Sequence, residues 1–109
     1  MRGDAAAGNE VVEDGISFQF PLAVSPTVHL VQPGDTTQPE CPGTSTAPAA
    51  QPGNLCIYFA FDSGNISQFA TYSAADGFGT IYTHGAVVYI RSTAAGYYES
   101  AGTWAVTAP

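Results

Sequence analysis

The stretch NLCIYFAFD, residues 54–62, constrains this chain more than any other. Leu55, Ile57, Phe59 and Phe61 alternate with Cys56, Tyr58 and Ala60. Alternation with a period of two is the pattern of a β-strand. Here both sets are apolar, and a strand that is apolar on both sides sits inside a sheet with cover on each face. The strand therefore needs cover on both sides, and a two-layer sandwich of this length, with some twenty residues in a proline-rich loop, has little left to supply the second layer, which points to a partner subunit.

Other segments repeat the period. In ISFQFPL, Ile16, Phe18, Phe20 and Leu22 point one way, and Pro21 puts its second half at an edge or a bulge. TVHLVQ, AVVYIRS, GTIYTH and the closing GTWAVTA read as strands rich in β-branched and aromatic residues, with ISQFATYS a weaker one. In GTWAVTA, Trp104 and Val106 share a face. The predicted core is Phe18, Phe20, Leu55, Ile57, Phe59, Val88 and Trp104. AAAGNEVVEDG has room for a turn of helix but no periodic face. Six to eight short strands with turn residues between them predict an all-β fold, a jelly-roll-like β-sandwich. Its boundaries are read as residues 15–109, with 1–14 as an N-terminal arm or a linker from a preceding segment.

The stretch from Pro33 to Gly53 breaks the pattern. It is long for a connection without structure of its own, so tying its ends makes physical sense. Cys41 lies within this stretch and Cys56 just beyond it, with Pro42, Pro48 and Pro52 between them. A zinc site would need further ligands at short spacing, and His29 and His84 do not provide them. A redox pair would be C-x-x-C. A disulfide Cys41–Cys56 is the simplest reading, with two free buried thiols as the alternative. Closing such a loop contributes about 3 kcal/mol in the chain-entropy model. A disulfide would also place the protein in an oxidising compartment, secreted or at the cell surface.

Charge narrows the partners. Of 109 residues only 10% are charged, and Arg2 and Arg91 are the only bases against nine acids, a net charge of −7. Two arginines cannot build the basic patch that nucleic acid or an anionic membrane requires. No apolar run reaches the length of a membrane-spanning helix. The start, MRGDAAAGNE, has no hydrophobic stretch of the kind a secretory leader carries, and the expectation is a piece of a longer polypeptide. So few charges leave surface that a second subunit would cover, which predicts a homo-oligomer.

Chemistry-bearing residues are sparse. His29 and His84 lack a nucleophile in a G-x-S-x-G elbow, and no enzymatic activity is expected. Asp62, Asp76 and Asn65 are the types that ring calcium, but Asp and Asn beside Gly are equally turn residues, and no calcium-loop pattern is present. No metal site and no cofactor is expected. The tripeptide RGD, residues 2–4, matches an adhesion motif at a terminus expected to fray, and NIS, residues 65–67, is a glycosylation acceptor in a eukaryotic host. Six Tyr, six Phe and Trp104 allow a carbohydrate-binding surface, although alternating aromatics usually point into a core.

Taken in order, ISFQFPLAVSPTVHLV, ECPGTSTAPAAQPGNLCIY and GTWAVTAP resemble a C-terminal, non-collagenous domain of bacterial collagen-like and surface proteins, notably actinobacterial ones. The cysteine loop and the terminal segment carry the resemblance, which spans residues 15–109. The middle, from Asp62 to Ser92, carries little of it. No Gly-X-Y repeat is present, so attachment to a collagen stalk is only implied. The resemblance implies a trimeric, non-enzymatic structural domain that assembles subunits or caps a fibrous protein. It carries no catalytic residues. The alternative expectation is a carbohydrate-binding module.

Overall fold

The computed structural model describes residues 1–36 and 38–109. Its strands are β1 (Arg2–Ala5), β2 (Val11–Ser17), β3 (Thr27–Val31), β4 (Asn54–Asp62), β5 (Ile66–Ser73), β6 (Gly77–Phe78), β7 (Gly85–Ser92) and β8 (Gly96–Thr107). They form two four-stranded sheets, ordered β1-β8-β4-β3 and β2-β7-β5-β6. The fold is all-β, and no helix occurs among the described residues. The antiparallel pairs β1–β8 and β2–β7 are nested, first strand with last and second with second-to-last, as in a jelly roll.

Between the sheets lies one apolar layer. Leu55, Ile57 and Phe59 of β4 meet Phe18, Ile81, Ala86 and Val88 there, and Ala5, Ile90 and Tyr98 continue it toward the β1 end. The expected burial of Phe18, Leu55, Ile57, Phe59 and Val88 is observed.

The other face of β4 is covered by the chain itself. β3 and β4 run parallel, with Thr27 opposite Asn54 and Val31 opposite Tyr58. Parallel neighbours cannot be joined by a hairpin; the chain must travel back along the sheet. The proline-rich connection makes this return across the outer face. The Cys41–Cys56 disulfide is present, with Cα atoms 5.7 Å apart, and both cysteines are buried with Tyr58, Val31 and Ala50. Tyr58 fastens the loop twice: its hydroxyl donates to the Ala49 carbonyl at 2.6 Å and accepts from the Gly43 amide at 3.0 Å. From β8, Thr103 and Thr107 donate to the carbonyls of Ser45 and Ala50.

Several expectations are corrected. Residues 1–14 are not an arm: β1 pairs with β8, and β2 pairs with β7 from Val11 onward. The short polar turn at Gly8 and Asn9, with Asn9 in the left-handed region (φ 66°), divides what looked like one helix-prone stretch into two strands. The RGD residues are consequently paired with β8 in β1. In ISFQFPL, the strand ends at Ser17. Phe18 enters the core, but Phe20 is 71% exposed, because the chain bends before Pro21 and rejoins the sheet only where the Leu22 amide donates to Thr83. GTIYTH is a loop, not a strand, held by buried Ile81 and a bridge from Tyr82 to Gly85. Trp104 faces inward beside Phe18, with ring centroids 5.9 Å apart, yet it stays 36% exposed because β1 does not reach that far along β8.

Candidate functional site

The outer face of the β2-β7-β5-β6 sheet carries the densest group of aromatic and polar side chains outside the core. Register puts it together. On β7, Ala86, Val88 and Ile90 face the core, so Val87, Tyr89 and Arg91 face outward. Arg91 lies between Val11 of β2 and Gln68 of β5, and Tyr89 lies between Glu13 and Ala70. Tyr72 stands beside Val87 on one side and Phe78 on the other.

Three rings form a chain across this face. Tyr72 and Phe78 are 5.3 Å apart, and Phe78 meets Tyr89 edge-on at 6.1 Å. Tyr89 is buried beneath its neighbours, whereas Phe78 is 70% exposed and Tyr72 37%. The Arg91 guanidinium lies 5.8 Å over the Tyr89 ring. It is oriented by Nε donating to Gln68 Oε1 at 3.0 Å and Nη1 donating to the Asn9 carbonyl at 3.1 Å. Together these residues, with Val11 and Glu13, border a shallow depression of about 340 Å³.

The local backbone turns Phe78 outward. It sits between Gly77 and Gly79, both at positive φ (87° and 79°), a conformation that other L-residues adopt only under strain. The hairpin before it is tied by Ser73 Oγ, which accepts from the Asp76 amide and bonds Thr80 Oγ1 at 2.7 Å. An exposed Phe on a tied hairpin is preorganised for contact.

The residues singled out in the sequence lie elsewhere. His29 bonds Asn54 Oδ1 through Nε2 at 2.8 Å, joining β3 to β4. His84 stacks on Tyr82 and accepts the Phe18 amide at its carbonyl. Asp62 caps the Gly64 amide at 2.6 Å, and Asp76 belongs to the β5–β6 turn, so the two serve separate turns. Asn65 is engaged through both ends of its amide, with Nδ2 donating to the Ala94 carbonyl and Oδ1 accepting the Ala94 amide. The aromatic face itself was legible in part: in AVVYIRS the residues opposite the buried set are Val, Tyr and Arg, too bulky for a merely solvated face.

No protein-family model, no curated protein and no solved structure matches this chain.

Proposed function

We propose that this is a non-enzymatic, extracellular β-sandwich that binds carbohydrate at the outer face of the β2-β7-β5-β6 sheet. The observation that carries this reading is the pair of exposed rings, Tyr72 and Phe78, beside an oriented guanidinium and the carboxylate of Glu13. Sugar rings present flat C–H faces that pack on aromatic rings, and hydroxyls that need nearby donors and acceptors. This face offers both, with one positive and one negative group. The depression is at the small end of ligand sites, which suits one or two sugar rings. The Cys41–Cys56 bond supports an oxidising location.

A glycan array probed with the folded, oxidised domain tests the reading. Saccharide binding in the micromolar range is expected, with a loss of about tenfold for Phe78→Ala or Tyr72→Ala. Absence of binding across the array, or binding indifferent to both substitutions, overturns it.

Exposed Phe20 and Val24, on the crossing between the two sheets, favour a second reading. In it the domain assembles subunits, as a trimer, or caps a fibrous protein of the kind the sequence resembles.

A further inference from the structure

The depression on the outer face of the β2-β7-β5-β6 sheet touches all four of its strands. Val11 and Glu13 belong to β2, Tyr89 and Arg91 to β7, Tyr72 to β5 and Phe78 to β6. β2 and β6 are the two edge strands. Neighbouring strands lie about 4.8 Å apart, so the depression crosses about 14 Å of sheet. Register sets its course. Val11 and Glu13 stand opposite Arg91 and Tyr89, whereas Phe78 stands opposite Tyr72, which pairs with Val87, the next outward position along β7. The trough therefore runs obliquely over the strands. Tyr89 is its floor, with Arg91 on one bank and Tyr72 on the other.

Neither end of the trough is walled. Its ends are exposed side chains on edge strands, Val11 and Phe78, and no strand lies beyond either edge among the described residues. A site that captures the end of a chain needs a wall to stop it and polar groups there for the terminal hydroxyls. Here the oriented donor sits in the middle: Arg91 on β7 is held by Gln68 on β5, and both strands are central. Charge selects as well. The molecule carries −7, and Glu13 lines the trough. The Arg91 guanidinium already donates to Gln68 and Asn9 and lies over Tyr89. A polyanion would meet a like-charged surface with one partly engaged cation to offset it.

We propose that the trough takes an internal stretch of an uncharged polysaccharide, laid across the strands so that the chain leaves the sheet over both edges. This rests on the carbohydrate reading and specifies its substrate. One sugar ring packs on Tyr72 and Phe78, and its neighbour reaches Arg91 and Glu13. The volume holds these one or two rings, and the rest of the chain passes over Val11 at one edge and Phe78 at the other. Affinity then rises with chain length until both edges are covered. It does not depend on a chain end, because nothing in the trough stops the chain. With no ion pair in the contact, binding is nearly independent of salt.

The probes are ladders of cello-, xylo-, manno-, laminari- and malto-oligosaccharides, from disaccharide to hexasaccharide, with the matching long polysaccharides and the polyanions alginate and polygalacturonate. Each is titrated calorimetrically into the folded, oxidised protein. One neutral series is expected to bind, its hexasaccharide about tenfold or more tighter than its disaccharide. The matching long polysaccharide should take several protein molecules per chain, where a chain-end site would take one. Tenfold more salt should leave the hexasaccharide Kd within about twofold. Val11→Ala, at the end of the trough away from the ring pair, should weaken the hexasaccharide by about threefold. A disaccharide that binds as tightly as its hexasaccharide, one protein molecule per long chain, a hexasaccharide indifferent to Val11→Ala, or preference for the polyanions overturns this assignment and leaves carbohydrate binding standing. Silence of every series and of both polyanions overturns the carbohydrate reading, and this assignment with it.

Discussion

Tyr98 illustrates how one inward position on β8 couples the core to pH. Its ring lies under Gly3, where a Cβ would press on the ring at 3.0 Å, and beside Ala5 and Ile90. Burial pushes its phenol above the ordinary value, and the nearby Glu10 carboxylate pushes it further. Below about pH 10 both folded and unfolded chains keep the proton and stability does not depend on this group. Above it the unfolded chain ionises while native Tyr98 does not, so stability falls as pH rises until native Tyr98 ionises too. Urea midpoints taken between about pH 8 and pH 11 should decline in the wild type and decline less in Tyr98→Phe. An equal decline in both proteins would assign the effect to the other tyrosines. The same scale shows where sequence reading stops. Phe18 and Phe20 are equivalent by alternation, but only Phe18 is buried, because the chain leaves the sheet between them. Nothing local to Trp104 reveals that β1 ends short of it.

Among the elements, β4 was the most legible and its surroundings the least. From Leu55 to Phe59 both its apolar faces are covered, one by the opposite sheet and the other by the loop stapled to it, but the register shifts between Phe59 and Phe61, and Phe61, which the alternation put on the Leu55 face, is 41% exposed. The sequence did not disclose that β3 and β4 are parallel neighbours, which is why the connection is long and lies flat on the sheet. Strand direction depends on where the chain returns, and periodicity is blind to it. Reduction should therefore do more than loosen a tether. With Cys41 freed, the cover over Cys56 and Tyr58 depends on a few hydrogen bonds from Tyr58, Thr103 and Thr107. A loss of about 3 kcal/mol, or about 10–20 °C in melting temperature, is expected on reduction. Amides of the loop should lose exchange protection before those of β7. A melting temperature indifferent to reductant would show that the loop's packing, not its staple, holds it down.

For the whole molecule, the all-β class and the sandwich were readable from strand period and turn density, while the sheet order was not. The loop also removes one reason to expect partner subunits, since the second face of β4 needs no cover from outside. What favours assembly is now the exposed Phe20 and Val24 and the scarcity of charge. Light scattering on the eluting protein should give about three times 11.2 kDa if the trimeric reading holds. A mass of 11.2 kDa at micromolar concentration would remove it and leave ligand binding by a single sandwich.

The nested pairing also sets a timetable. β1 has no partner until β8 exists, and β2 none until β7 exists, since Arg2 pairs with Glu99 and Val11 with Arg91. A growing chain with this order cannot complete either sheet until nearly all of it has been made. Contacts between distant residues also slow folding once it starts. Such a polypeptide closes both sheets only when its last long strands, β7 and β8, are present.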